Sequence, residues 1–239
     1  MFSPKPPEYK EFEDDRYLFN EQSIRKAFIR KVYLILMFQM IVSVGLIAWF
    51  MYDEPLRFYV ETNIWPMITA MVVTFVVIIT LACCGDVRKQ FPLNLILLGV
   101  FTVAEGFILA TLSAMTNSKI VLMAVGITAV VFLGLTLFSF QTRWDFTMSG
   151  GILMVCLIVL VVFGLIAMIF PGRTIILIYS SIGALIFGCY MVYDTQMLMG
   201  GDHKLAISPE EYIFAVLALY LDIVNFFVSI LTILNASRR

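Results

Sequence analysis

Charged residues are scarce in this sequence. Lys, Arg, Asp and Glu together make up 14% of its 239 residues, whereas hydrophobic residues make up 61%. A soluble domain of this length needs a charged surface that this composition does not supply. The mean hydropathy is +0.95, and the apolar residues come in runs of roughly 18 or more, long enough to cross the bilayer as helices. The composition therefore predicts a polytopic membrane protein.

Histidine and cysteine are also scarce. His203 is the single histidine, which excludes a multi-histidine metal site; it is interpreted as a loop residue. The four cysteines lie in or beside hydrophobic segments, where they are interpreted as small packing residues rather than a disulfide framework. The sequence shows no glycine-rich phosphate loop, nucleophile elbow or basic nucleic-acid patch. We therefore expect no bound cofactor and no nucleic-acid partner.

Seven hydrophobic segments follow a polar start, and because backbone in lipid must satisfy its own hydrogen bonds, each segment is predicted to be a helix. Residues 1–31 are predicted to form a cytosolic tail, with Ser23 as an N-cap, and residues 32–239 an all-α transmembrane domain. The predicted spans are Val32–Tyr52, Ile64–Cys84, Pro92–Met115, Ile120–Gln141, Gly150–Phe170, Thr174–Met199 and Tyr212–Leu234.

The distribution of basic residues predicts the orientation. Eight of them precede the first segment or lie in the loops on the same side: Arg25, Lys26, Arg30, Lys31, Arg88, Lys89, Arg143 and Lys204. The opposite loops hold three: Arg57, Lys119 and Arg173. Since positive loops stay inside, the N-terminus is predicted to be cytosolic. Arg238 and Arg239 would then end outside; we still favour a full crossing, because the last segment is long enough to span.

Three acidic residues lie well inside predicted spans: Glu105, Asp194 and Asp222. Each costs on the order of 3 kcal/mol near the bilayer centre, and no lysine or arginine lies equally deep in the sequence pattern. One interpretation is that they are protonated and hydrogen-bond neighbouring helices. The other is that they line a polar route for a cation or a proton.

Asp194 and Asp222 lie on consecutive antiparallel spans at estimated depths of about 8 Å and 15 Å from the same side. We expect the two carboxyl groups to meet and to share a proton, because both cannot ionise easily in a low dielectric. When ionised, the pair would suit a hard cation such as calcium, bound transiently. Glu105 is expected to add an oxygen to the same route. Asn225 shares a helix face with Asp222; it either supports the route or makes an interhelix hydrogen bond.

Four strings resemble the Lifeguard branch of the Bax-inhibitor family of seven-helix membrane proteins: RKVYLILMFQ (30–39), FPLNLILLGVFTVAEG (91–106), YDTQMLM (193–199) and SPEEYIFAVLALYLDIVNFF (208–227). The resemblance implies a central last helix and a pH-sensitive calcium leak. The family's paired aspartates fall on Asp194 and Asp222, and Glu105 matches an acid of the animal members. The family's basic latch for the pair falls on Arg88, with Lys89 as the alternative; from the sequence itself, Arg88 is interpreted as a topology-setting charge.

The resemblance also implies suppression of cell death through lowered store calcium, with cell-death regulators as partners. It favours the endoplasmic reticulum or the Golgi, with the plasma and endolysosomal membranes as alternatives. In this interpretation the protein is not an enzyme, and calcium is the permeant ion.

Two other functions stay open. An intramembrane aspartyl protease also needs two aspartates on consecutive helices, and Tyr193 precedes the first of them here. Its second aspartate usually follows Gly-x-Gly, whereas Asp222 follows LYL. In a non-conducting scaffold the acids would only pack helices. A seven-helix receptor is disfavoured by the inverted topology, and a retinal protein by the lack of lysine between Tyr212 and Ser237.

The tail contains a short recognition motif. Pro6, Pro7 and Tyr9 form Pro-Pro-x-Tyr, a pattern that WW domains bind as an extended polyproline segment. We predict that a WW-bearing ubiquitin ligase docks there. A pull-down unchanged by Tyr9→Ala would refute this prediction.

Overall fold

The computed structural model describes residues 9–142, 144–170, 172–200, 207–208 and 211–238, with side chains from residue 23 onward. No strand occurs within these ranges. The helices are α1 (Tyr9–Tyr52), α2 (Glu54–Thr62), α3 (Trp65–Cys83), α4 (Gly85–Lys89), α5 (Leu93–Ala114), α6 (Ser118–Gln141), α7 (Gly150–Ile169), α8 (Arg173–Met199) and α9 (Tyr212–Arg238), and a 3₁₀ turn at Phe146–Ser149 precedes α7.

Seven helical stretches are long and apolar enough to cross a membrane. They lie at Ser23–Tyr52, Trp65–Cys83, Leu93–Ala114, Ser118–Gln141, Phe146–Ile169, Arg173–Met199 and Tyr212–Arg238. Each overlaps one predicted segment, with ends that differ by a few residues except at the start of the first. The all-α, seven-span class predicted from the sequence is therefore confirmed.

The first helix departs most from the prediction. It begins at Tyr9 and runs without interruption to Tyr52, so Ser23 lies inside the helix and its assignment as an N-cap was wrong. The residues before the span include the strong helix formers Glu, Lys, Arg and Leu, whose propensity extends a helix that the membrane segment nucleates. The short helices α2 and α4 were not predicted, because neither is long enough to show a hydrophobic period.

Helix α9 lies at the centre of the bundle. It packs against α1, α5, α6 and α8. In the most apolar 18 residues of α9, 67% of the residues are buried, against 44% or less in the other spans. The last helix is therefore central, as the family resemblance implied, and most of its side chains contact neighbouring helices.

Helices α8 and α9 pack closely along their length. A Cβ atom built on Gly183 of α8 would lie 3.0 Å from the Ser229 Oγ of α9, so a larger residue would press on that hydroxyl. Gly188, which the sequence also suggested as a packing position, is looser, because its Cβ would lie 3.7 Å from Leu135. The close approach near Gly183 brings the faces of α8 and α9 together, including the face that carries the acids.

The start of α1, helix α4 and the connection between α8 and α9 lie at one end of the bundle, called here the α4 end. Arg25 of α1 donates from Nη1 to the Ile207 carbonyl at 2.7 Å and to the Leu198 carbonyl at 3.4 Å. Gly200, which ends α8 at a φ of +62°, leaves room for that guanidinium, since a Cβ there would meet it at 2.8 Å. The α4 end thus joins the start of α1 to the connection between α8 and α9.

Candidate functional site

Asp194 and Asp222 face each other across the contact between α8 and α9. Their side chains lie within hydrogen-bonding reach of each other. Asp222 is buried, and its Oδ2 accepts no hydrogen bond from any donor group in the described part of the chain. Two carboxylates have no proton to donate, so the pair forms a hydrogen bond only when one of them is protonated.

Two tyrosines of α8 line the pair. The Tyr190 hydroxyl lies near both carboxyl groups, and Tyr193 lies near Asp194. The two rings meet edge to face with centroids 6.3 Å apart. A Cβ on Gly150 would lie 2.6 Å from the Tyr193 hydroxyl, so the start of α7 closes over this ring. The pair is therefore flanked by two half-buried tyrosine rings, and Asp194 itself is half-buried.

Gln196 fixes the end of α8 next to the pair. Its side chain is fully buried. Its Nε2 donates to the Trp144 carbonyl at 2.9 Å, and its Oε1 accepts from the Phe146 backbone N–H at 2.7 Å. One amide thus satisfies two backbone groups of the segment before α7, which holds the rotation of α8 that points Asp194 toward α9.

Glu105 lies in a second polar cluster, on the side of α9 toward α1, α3 and α5. Glu105 lies beside Thr74 of α3 and near Tyr220 of α9. The Tyr220 hydroxyl is 2.7 Å from the Ser43 Oγ, which also donates to the Gln39 carbonyl at 2.9 Å. The cluster therefore joins α1, α3, α5 and α9 through buried polar groups.

The two polar clusters are separated by the body of α9. Tyr220 and Asp222 are two residues apart, which places them about 200° apart around a helix of 3.6 residues per turn. The charged neighbour of Tyr220 is Glu105. The charged neighbour of Asp222 is Asp194. The structure thus brings Asp194 and Asp222 together and places Glu105 in a different cluster from the one expected.

Arg88 lies at the α4 end, where it pairs with Glu211. Its Nη2 donates to the Glu211 Oε1 at 2.9 Å, and its Nη1 donates to the carbonyls of Leu81 and Ala82 at 3.2 Å and 3.3 Å. The guanidinium also stacks over the Phe214 ring, with its centre 5.2 Å from the centroid. In this conformation Arg88 is held by Glu211 rather than by the aspartate pair, and the alternative basic residue, Lys89, is exposed.

The start of α9 is held by two further contacts. Lys31 Nζ lies 3.3 Å from the centroid of the Tyr212 ring. Asn94 is buried, and its Nδ2 donates to the Tyr212 hydroxyl at 3.2 Å and to the Arg88 carbonyl at 3.0 Å. We call Lys31, Arg88, Asn94, Glu211 and Tyr212 the α9 anchor. It ties the first turn of the central helix to α1, α4 and α5.

The remaining predicted residues take no part in the pair. Asn225 donates to the Leu221 carbonyl of its own helix at 2.8 Å, so this amide makes an intrahelical bond. Pro6, Pro7 and His203 lie outside the described residues, and of Tyr9 only the backbone is described. Within the described ranges, no three His, Cys, Asp or Glu residues are grouped to hold a metal ion. Calcium would therefore depend on the two aspartates together with water or backbone oxygens.

The sequence did not indicate Glu211 or the Tyr220 cluster. Glu211 stands in a loop-like string beside another glutamate, and nothing in that spacing selects it as a partner of Arg88. Tyr220 and Ser43 are single weakly polar residues in apolar runs, and only their helix rotation turns them toward each other.

Comparisons with known proteins agree with this architecture. The family profile described as "Inhibitor of apoptosis-promoting Bax1" matches residues 25–239. Protein lifeguard 3 of Mus musculus is 39% identical over 222 residues, covering 91% of this chain and 72% of that protein. Protein lifeguard 3 of Homo sapiens is 38% identical over 221 residues, covering 91% and 71%.

A plant relative has a similar level of identity. Protein LIFEGUARD 3 of Arabidopsis thaliana is 36% identical over 220 residues, covering 90% of this chain and 87% of its own. The profile match runs from residue 25 to residue 239 and so includes the two helices that carry the aspartate pair. The chain belongs to the Lifeguard branch of the Bax-inhibitor family.

Proposed function

We propose that this protein is a calcium leak pathway that opens and closes with the proton shared by Asp194 and Asp222. The observation that supports this function most is the contact between the two carboxyl groups inside the bundle. Buried carboxylates are costly in a membrane, and acids that face a bundle interior commonly mark ion or proton routes. Membership of the Bax-inhibitor family supports a role in regulating apoptosis.

The mechanism follows from the charge of the pair. With one proton, a carboxyl–carboxylate hydrogen bond holds α8 against α9 and the route is closed. Loss of that proton leaves two negative charges in a medium of low dielectric, and they repel strongly. The repulsion separates the helices and leaves two carboxylates free to act as ligands. Carboxylate oxygens are ligands that a hard cation such as calcium prefers. The leak is therefore expected to rise as the pH rises.

The α9 anchor provides the second closure in this proposal. Arg88, Glu211 and their neighbours hold the start of α9 at the α4 end, which the positive-inside rule assigns to the cytosol. Calcium leaving a store would pass this end last. A leak in the endoplasmic reticulum or Golgi would lower stored calcium and thereby restrain cell death, and docking of a WW-bearing ligase on the tail would regulate the amount of protein.

Calcium efflux from proteoliposomes between pH 5 and 8 tests this function. Native protein is expected to release calcium at least several-fold faster at pH 8 than at pH 6. Asp194→Asn and Asp222→Asn are each expected to stay at the slow rate, because the amide still donates to the remaining carboxylate and no second charge appears. Asp86→Asn, at an exposed site on α4, is the matched control and should keep the native response.

Each alternative function predicts a different result. A scaffold predicts no flux above protein-free vesicles at any pH, with all three variants alike. A protease predicts cleavage of added helical membrane substrates that both Asn variants abolish. A native pH response that both Asn variants retain would refute the role of the aspartate pair.

A further inference from the structure

Two adjacent free thiols lie on the surface of the bundle at the end of α3. Cys83 is the last residue of that helix and Cys84 follows it, and both side chains are exposed. Neither therefore fills the packing role that the sequence suggested for the cysteines. The Cys84 backbone leaves the helical conformation, with a φ of −99° and a ψ of 86°, so the chain turns there before α4 begins at Gly85. The structure thus presents two nucleophilic sulfur atoms at the turn between α3 and α4.

Cys83 continues the outward-facing side of α3. Val72, Val76 and Ile79 are 57%, 55% and 45% exposed. At 3.6 residues per turn, these three residues and Cys83 fall within about 60° of one another around the helix. The buried residues of α3 lie on the opposite side: Ala70, Thr74, Val77 and Leu81. A chain attached to the Cys83 sulfur would therefore enter the lipid alongside α3 and not the interior of the bundle.

The length of α3 places both sulfur atoms at the edge of the membrane. Its 19 residues extend about 28 Å, close to the hydrocarbon thickness of roughly 30 Å. Trp65 begins the helix and is 72% exposed, as is usual for tryptophan at a membrane surface. Asp86, the first charged residue after the turn, is costly to place in hydrocarbon. The two thiols therefore lie where the acyl chains of the lipid meet the headgroups.

This position distinguishes the two thiols from the other cysteines of the chain. Juxtamembrane cysteines are acceptors of reversible S-palmitoylation, and the positive-inside rule assigns the α4 end to the cytosol, where long-chain acyl-coenzyme A is found. Cys156 lies six residues after the start of α7, and Cys189 lies ten residues before the end of α8. These positions are about 9 Å and 15 Å along their helices, so both thiols lie within the spans and away from a donor at the membrane surface.

We propose that Cys83 and Cys84 form an S-acylation site that accepts long-chain fatty acyl groups. The cysteine sulfur attacks the thioester carbonyl carbon of acyl-coenzyme A, a new carbon–sulfur bond forms, and the bond from that carbon to the coenzyme A sulfur breaks. The proton that the cysteine loses goes to coenzyme A, which leaves as a thiol, so the step needs no oxidant. The acyl chain lies along the outward face of α3 and holds the turn before α4 at the membrane surface. This site is separate from the aspartate pair, and its test does not depend on calcium flux.

Metabolic labelling of the full-length protein with an alkyne analogue of palmitate in cultured eukaryotic cells tests the site. The native protein is expected to carry label that neutral hydroxylamine removes, because hydroxylamine cleaves thioesters. Cys83→Ser combined with Cys84→Ser should lower the label about tenfold or more, since it removes both juxtamembrane acceptors. Cys156→Ser combined with Cys189→Ser is the matched control. It removes the same number of thiols from within the spans and should label like the native protein.

Exchange of the acyl groups for a maleimide-linked polyethylene glycol provides a second measurement. Native protein should shift on a gel by one or two tags only after hydroxylamine treatment, and the variant without Cys83 and Cys84 should not shift. Thermal melting checks the folding of each variant, and alanine replaces serine at both positions if the serine variant is unstable. Native protein without hydroxylamine-sensitive label, or equal label in the two double variants, would overturn the proposal. A shift that requires dithiothreitol instead of hydroxylamine would show a disulfide and would overturn it as well.

Discussion

Glu211→Arg is expected to raise calcium efflux at pH 6 about tenfold, because it replaces the partner of Arg88 with a second cation. Arg88 and Glu211 are joined at 2.9 Å with side-chain exposures of 12% and 29%. A hydrogen bond to a charged group contributes about 1.5–3 kcal/mol, and 1.4 kcal/mol corresponds to a tenfold change in an equilibrium. Loss of this contact releases the first turn of α9 while the aspartate pair stays protonated.

The reversed pair supplies the decisive comparison. Arg88→Glu combined with Glu211→Arg restores opposite charges and should bring efflux most of the way back to the native rate. The recovery is incomplete because glutamate at position 88 does not donate to the Leu81 and Ala82 carbonyls. Arg57→Glu is the control, since it breaks an exposed i, i+4 pair with Glu61 and such pairs contribute little. Native efflux in the Glu211→Arg variant would exclude the α9 anchor as a closure.

The stability of the native protein is expected to fall as the pH rises from 6 to 8. An aspartate in water ionises near pH 4, so the unfolded chain has lost both protons well below this window. In the proposed mechanism the folded pair retains one shared proton and therefore binds one more proton than the unfolded state. The unfolding free energy then decreases by about 1.4 kcal/mol per pH unit until that proton is lost.

Thermal unfolding in detergent at several pH values measures this slope. The proton is lost within this window, so the unfolding free energy should fall by about 1.4 kcal/mol and the melting temperature of the native protein by about 3–6 °C between pH 6 and pH 8, on the usual scaling for a chain of this size. Asp222→Asn should flatten the dependence of the melting temperature on pH, because the asparagine amide donates a hydrogen bond to Asp194 at every pH. Asp86→Asn should leave the dependence as in the native protein. An equally steep slope in native protein and Asp222→Asn would mean that the aspartates bind no extra proton.

The sequence was sufficient to predict the spans and the approach of the two aspartates. Apolar runs long enough for a bilayer fix the number of helices, and short connections make α8 and α9 neighbours. Asp194 and Asp222 then fall on the same half of adjacent helices, and the estimated depth difference of about 7 Å proved small enough for tilt and side-chain reach to absorb.

The position of Glu105 depends on helix rotation, which the sequence does not determine. Depth alone placed Glu105 with the aspartates, but the rotation of α5 turns it toward Tyr220 and Thr74. Rotation is set by packing, since each span is apolar nearly all round and offers no polar face to orient it. Arg88 also lies beside a different partner from the one expected. It pairs with Glu211, which stands in the connection before α9, and no hydrophobic periodicity predicts the course of that connection.

Infrared spectroscopy of protein labelled with [4-¹³C]aspartate tests the central claim most directly. Glu105 carries no label, and exposed aspartates are ionised at pH 6, so a labelled protonated-carboxyl band at that pH reports the buried pair alone. We expect one such band in native protein, its loss toward pH 8, and its absence from both Asp194→Asn and Asp222→Asn. A spectrum without this band at pH 6, or a band that survives both substitutions, would contradict proton sharing between α8 and α9.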